Sequence, residues 1–161
     1  MKQMTKWLFD TTYLLPFQGY PVAIKNFDKD LEEIFLSNKT DIAISACSLI
    51  ECRFVAYSQY KKLKNKQILD RSTTAIQQIL KSKIFTIINT WEINEANTYA
   101  DDLRKKGMED IMDCWILGTA KAQDRVLISE EKVARKFIKK YTNWASLEIM
   151  NWKEFKNKVL K

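Results

Sequence analysis

Residues 7–12, Trp7-Leu8-Phe9-Asp10-Thr11-Thr12, run from three large apolar side chains straight into an acid and two hydroxyls. This stretch predicts a short buried strand that stops at a polar corner. Further along, Asp41-Ile42-Ala43-Ile44-Ser45 and Arg125-Val126-Leu127-Ile128-Ser129 read as strands of the same kind. Ile84-Phe85-Thr86-Ile87-Ile88 is short and β-branched, and Leu147-Glu148-Ile149-Met150 is a last strand. Helical spacing fills the intervals. Phe27, Leu31, Ile34 and Phe35 place a helix over Asn26–Ser37, and others are expected over Ala46–Leu63, Ile68–Leu80 and Glu92–Lys105, the last stopping at Gly107. Glu109–Gln123 carries the apolar run Cys114-Trp115-Ile116-Leu117 and should be buried on most sides. Glu130–Lys139 and Asn151–Leu160 complete the set, with a helical turn at Tyr13–Leu15 and a turn at Asn38-Lys39-Thr40.

Strands separated by helices indicate one α/β domain over residues 1–161. Its sheet should be mainly parallel, its crossovers right-handed, with helices on both faces. The 161 residues suffice for a real core, and 46% hydrophobic with 29% charged residues is globular composition. Histidine is absent, so imidazole metal sites and His-based triads are excluded, and acid–base or metal chemistry must rest on carboxylates. The net charge of +7 favours a polyanionic partner, although a solvated lysine-rich surface explains it equally well. Three cysteines, Cys47, Cys52 and Cys114, lack paired metal-type spacing and suit a reducing, cytoplasmic setting. Asp10 interrupts the apolar stretch Trp7–Phe17, which argues against a signal peptide, and no apolar run approaches membrane-spanning length.

In open α/β sheets, ligands bind beyond the carboxyl ends of the strands, so acids placed there are informative. Asp10 directly follows the first strand, where a turn or N-cap acid is the plain alternative. Glu51 lies well inside the helix after the second strand, too deep for an N-cap, with no basic residue at i+3 or i+4; an outer-face glutamate is its alternative. Asp113 precedes the apolar run of its helix, and Asp110 stands one turn earlier, nearer the helix start. Glu131 follows Ser129 close to another helix start. Acids from separate segments meeting at one sheet edge repel unless a cation joins them. Oxygen-only ligands suit Mg²⁺ or Mn²⁺, and such a site readily performs phosphodiester hydrolysis.

Taken together, these segments resemble the motifs of PIN domains. Residues 7–15, Trp7-Leu8-Phe9-Asp10-Thr11-Thr12-Tyr13-Leu14-Leu15, resemble the opening motif, an apolar strand followed by Asp-Thr. Ile44-Ser45-Ala46-Cys47-Ser48-Leu49-Ile50-Glu51 is similar to the second, Asp113-Cys114-Trp115-Ile116-Leu117-Gly118-Thr119-Ala120 to the third, and Val126-Leu127-Ile128-Ser129-Glu130-Glu131 to the fourth. The order agrees across nearly the whole chain.

The resemblance implies a three-layer α/β/α sandwich and Mg²⁺- or Mn²⁺-dependent cleavage of RNA. Asp10, Glu51 and Asp113 would be the core metal-binding acids, with Glu131 as the fourth. Thr12 would support the first acid or a substrate phosphate, and Ser129 is placed beside it as a substrate-supporting group. Two departures stand out. The fourth motif usually carries Asp, and here Glu131 has Glu130 as a neighbour able to substitute. Asp110 adds an acid that belongs either to the ligand set or to its support.

Small members of the family are often VapC-like toxins, which dimerise and are neutralised by a small antitoxin, whereas others process ribosomal RNA or act in RNA surveillance. The chain is therefore expected to be a metal-dependent endoribonuclease of the toxin kind, acting on RNA as a homodimer with an antitoxin partner and away from membranes. The alternatives are an RNA-processing nuclease and a catalytically weak module that binds RNA or protein. A nucleotide-binding α/β domain is disfavoured, because no glycine-rich loop follows any strand. Two further features are open: Tyr13, Phe17 and Tyr20 as base-stacking or core aromatics, and Lys61–Lys66 as a partner surface or a solvated helix end.

Overall fold

The structure is a computed structural model that describes residues 4–37 and 40–160; Asn38 and Lys39 of the expected turn lie outside them. Five strands, β1 (Lys6–Phe9), β2 (Asp41–Ser45), β3 (Thr86–Ile88), β4 (Val126–Ile128) and β5 (Ile149–Met150), form one sheet in the order β3-β2-β1-β4-β5. Every pairing is parallel, with Leu8 opposite Ala43 on one side and Leu127 on the other. Parallel strands need a crossover between them, and the helices α1 (Phe27–Leu36), α2 (Ala46–Leu63), α3 (Gln67–Lys81), α4 (Asn94–Lys105), α5 (Ile111–Ala122) and α6 (Lys132–Ile138) supply it, while α7 (Trp152–Val159) follows β5. The result is a three-layer α/β/α sandwich.

Side-chain alternation along the strands divides the interior in two. Trp7, Phe9, Ile42, Ile44, Val126 and Ile128 point to one face and pack with Leu31 and Ile34 of α1, Ile79 of α3, and Trp152 and Phe155 of α7. Phe9 sits at the centre of that layer, its ring edge-on to Phe155 at 5.3 Å and to Trp152 at 5.8 Å. Leu8, Ala43 and Leu127 point the other way, onto Ala100 and Leu103 of α4, Ile116, Leu117 and Ala120 of α5, and Ala134 and Ile138 of α6. Because both faces are covered, the strands are apolar nearly throughout, as parallel sheets require.

The bounds of β2 and α2 match the sequence reading. Others move for identifiable reasons. Ile84 and Phe85 fall outside β3, which as an edge strand pairs only along Ala43–Ser45 of β2. Thr90–Glu92 form a 3-10 turn, so α4 opens at Asn94 rather than Glu92. The turn at Tyr13–Leu15 extends to a 3-10 helix over Thr11–Gln18, closed by Gly19 at φ +84°. α4 and α5 pack closely. A Cβ on Gly118 would stand 2.5 Å from the Ala96 carbonyl oxygen and 3.1 Å from the Ala100 nitrogen, so only glycine permits that approach.

Candidate active site

The carboxyl ends of β1, β2 and β4 lie side by side, and the chain leaves each of them through a polar residue. Beyond β1, Asp10 continues the ladder by donating its backbone N–H to the Ile128 carbonyl at 3.0 Å. Its carboxylate is held on both oxygens. Oδ1 accepts from the Thr11 backbone at 2.7 Å, and Oδ2 accepts from the Ser129 hydroxyl at 2.7 Å. Ser129, 3% exposed, follows β4 and also accepts from the Glu131 backbone N–H at 3.0 Å. One buried serine thus fixes the first acid and the approach to the last.

Beyond β2, the Ser45 hydroxyl caps α2 by accepting from the Cys47 backbone at 3.1 Å. It also pairs with the Thr90 hydroxyl at 2.8 Å, which pairs with Thr119 of α5 at 2.7 Å. This buried hydroxyl chain ties the end of β2 to the body of α5 beneath the site. Glu51 projects from the second turn of α2, and the Thr11 hydroxyl donates to its Oε2. Asp113 stands in the first turn of α5, its backbone N–H donating to the N-cap Asp110 at 3.1 Å. Glu131 is the N-cap of α6, accepting from Val133 N–H at 3.2 Å.

These elements enclose an open cavity of about 410 Å³ lined by Asp10, Glu51, Asp110, Asp113 and Glu131, with Thr11 and Thr12 beside them. Leu15, Phe54, Val55 and Met112 supply its apolar walls, and among the described residues no basic side chain lines it. The electrostatics follow from that composition. Burial raises the Asp10 carboxyl above its ordinary range, against the lowering effect of the Ser129 and Thr11 hydrogen bonds, and Glu131 and Asp110 push the same way as burial. Burial lifts Glu51 to about 7 despite the Thr11 hydrogen bond, with Asp10 and Asp110 adding repulsion. Asp113 also reaches about 7, through burial first and then the charges of Asp110, Asp10, Glu51 and Glu131.

The donors suit a hard divalent cation: carboxylate oxygens, half-buried, mutually repelling and, among the described residues, without a basic side chain in the cavity lining. Among the described residues no three His, Cys, Asp or Glu side chains already close around a single point. Mg²⁺ does not require that closure, because it binds through one or two carboxylates and retains several waters.

Every acid singled out in the sequence lines the cavity except Glu130. That side chain accepts from the Tyr13 hydroxyl at 3.0 Å and from the Trp152 backbone at 2.8 Å, so it joins the chain ends rather than the acid set. Tyr13 is fully buried in the aromatic core, which removes it as a base-stacking candidate, and Phe17 leans edge-on against Phe85. Thr12 lines the cavity, yet its neighbour Thr11 makes the hydrogen bond to an acid. Thr11 was the group missed. The Asp-Thr-Thr string offered two hydroxyls, and only the packing of the 3-10 helix against α2 selects between them.

The fold is shared with solved structures. A chain of VapBC from Salmonella typhimurium bound to DNA superposes with a TM-score of 0.62 at 16% identity, over 92% of this chain and 99% of that one. VapBC2 from Rickettsia felis, bound to a DNA fragment from its promoter, gives 0.61 at 18% identity over the same shares. FitAcB from Neisseria gonorrhoeae gives 0.58 at 16% identity, over 89% and 96%. The chain has a PIN-like fold. No family model and no curated protein sequence matches it. Within the PIN-like fold the acidic cavity occupies the carboxyl edge of the sheet, where open α/β sheets bind their ligands. No helix among the described residues is long and apolar enough to cross a membrane.

Proposed function

We propose that this protein is a divalent-metal-dependent endoribonuclease acting as the toxin of a toxin–antitoxin pair. The observation that carries the nuclease reading is the cavity itself, with half-buried carboxylates at three separate chain positions and, among the described residues, no basic side chain in its lining. Asp10, Glu51 and Asp113 would hold Mg²⁺ or Mn²⁺, with Asp110 and Glu131 at the rim. When bound, the metal supplies an activated water and neutralises the charge that develops on the phosphoryl group. The chain's own residues do the positioning. Ser129 and the Thr11 backbone hold the Asp10 carboxylate, and the Thr11 hydroxyl holds Glu51. Thr12, free of those duties, faces the cavity where a substrate phosphate would sit.

The VapBC and FitAcB structures that share the fold support a small antitoxin partner, and the toxin itself would be a homodimer. The three cysteines are buried and free, which supports a reducing cytoplasmic setting. A catalytically weak PIN-fold module that binds RNA or protein is the second reading. It is favoured by Glu131, an exposed side chain engaged in capping α6.

The deciding experiment incubates wild type and Asp10→Asn with mixed RNAs and Mn²⁺. Cutting by wild type alone is expected. If both leave the RNA uncut while still binding it, the protein is a binding module.

A further inference from the structure

The face of α2 that carries Glu51 does not end at the cavity. Phe54, Ser58, Lys61 and Lys62 lie three, seven, ten and eleven positions further on, so at about 3.6 residues per turn they share that face, and all four are exposed. Phe54 forms the cavity wall next to Glu51 while 56% of its surface stays open to solvent. On the neighbouring flank α3 closes the helix off. Arg53 donates to the Leu69 carbonyl at 3.2 Å and to Thr73 at 3.0 Å, with its guanidinium 5.0 Å from the Tyr57 ring centre. The Glu51–Lys62 face is left clear. Among the described residues neither Lys61 nor Lys62 makes an ion pair. The helix dipole accounts for two lysines in a last turn, but it gives no reason for an open aromatic ring on the same face.

Among the described residues this cavity presents acids and no basic side chain, so side-chain cations that hold the rest of a polyanion have to lie outside it. We propose that this face of α2 is the track for single-stranded RNA leading away from the scissile phosphate. Phe54 stacks on an unpaired base beside the reaction centre, and Lys61 and Lys62 hold phosphates farther along. The inference rests on the nuclease reading and adds to it the residues that hold the strand beyond the cut. From Glu51 to Lys61 the helix rises ~15 Å, the length of about four stacked nucleotides. A base inside a duplex has no free face to offer Phe54, so paired RNA is a poor substrate.

The test uses the full chain with Mn²⁺, a labelled single-stranded oligonucleotide and the same sequence as a duplex. Phe54→Ala should raise KM for the single strand roughly tenfold, with kcat nearly unchanged, and Phe54→Trp should restore it. Replacing Lys61 and Lys62 by alanine should flatten the dependence of log(1/KM) on log salt by about 1.4, two single-strand contacts at about 0.7 each. Unchanged thermal melting and Mn²⁺ affinity in each variant show that fold and metal site are intact. Wild-type KM and salt slope in variants that still cut overturn the track, as does an equal loss on duplex. If wild type cuts no RNA, the nuclease reading falls separately, and single-strand affinity by anisotropy decides the track. Weaker binding by Phe54→Ala upholds it; unchanged binding overturns it.

Discussion

At the amino end of the sheet, Asp41 opens β2 and meets Arg125, which stands just before β4, at 2.8 Å. Arg125 is buried and also donates to the Trp7 carbonyl at 3.3 Å, so its charge joins three strands. At the carboxyl end of the same strands, Asp10, Glu51 and Asp113 are half-buried, and the groups that meet them are hydroxyls, backbone N–H groups and one another. A charge that the chain neutralises for itself is a fastener. Charges that it gathers and leaves unneutralised are destabilising unless something arrives from solution. The same fold therefore holds a structural ion pair at one end and an unfilled electrostatic demand at the other.

The largest effect should come from the uncompensated end. Asp10→Asn keeps the size of the side chain but removes its charge and replaces one of its two accepting oxygens with an N–H donor. It is expected to lower the RNA cleavage rate by on the order of 10²–10³ in a single-turnover assay. A rate within a few-fold of wild type would remove Asp10 from the machinery. The contrasting substitution is Arg125→Ala, which leaves Asp41 unpaired. It should lower unfolding free energy by roughly 3 kcal/mol in urea titration. Cleavage at low temperature should persist, because the ion pair lies across the sheet from the cavity. If Arg125→Ala instead abolished cleavage in folded protein, the separation of the two ends would fail.

Smaller effects sharpen the picture within the site. Ser129→Ala removes the donor to Asp10, and Thr11→Val removes the donor to Glu51. Each should cost about 10- to 100-fold in metal affinity or rate, as groups that orient a ligand do, while Ser129→Thr retains the hydroxyl and most of the activity. Thr12→Val should cost less at the metal and show mainly in KM.

The smallest effect is on stability against pH. Glu51 and Asp113 rise to about 7 in the folded chain from ordinary values of 4.5 and 3.8. Between those limits the folded state binds more protons than the unfolded state, so stability is full at low pH and falls as pH rises toward 7. In chelator, Glu51→Gln should therefore gain melting temperature relative to wild type as pH climbs through that window. Added Mn²⁺ should reverse the order by stabilising wild type. A constant difference across the window would contradict the burial of an ionisable group at position 51.

Much of this was legible in the chain. Strand and helix periods are local, so Asp41–Ser45 and Ala46–Leu63 could be read to the residue. Ile84 and Phe85 could not, because an edge strand extends only as far as its neighbour pairs with it, and that is a tertiary fact. The acids at the ends of the strands were readable from their position after apolar runs. Choosing between Glu130 and Glu131 was not. Both follow Ser129, and the choice depends on Tyr13 and the start of α7 capturing Glu130 from distant parts of the chain. The choice of Thr11 over Thr12 has the same origin, as does the placing of Tyr13 in the core and Phe54 in the open.

The most direct measurement is Mn²⁺ binding by isothermal titration calorimetry near pH 6.5, in buffers of differing ionisation enthalpy. A cation filling the carboxyl-edge site must displace protons from Glu51 and Asp113, so the apparent heat should vary with the buffer, and Asp10→Asn should abolish the tight binding event while Arg125→Ala preserves it. No binding by wild type, or binding that Asp10→Asn leaves unchanged, would show that the acids are not a metal site.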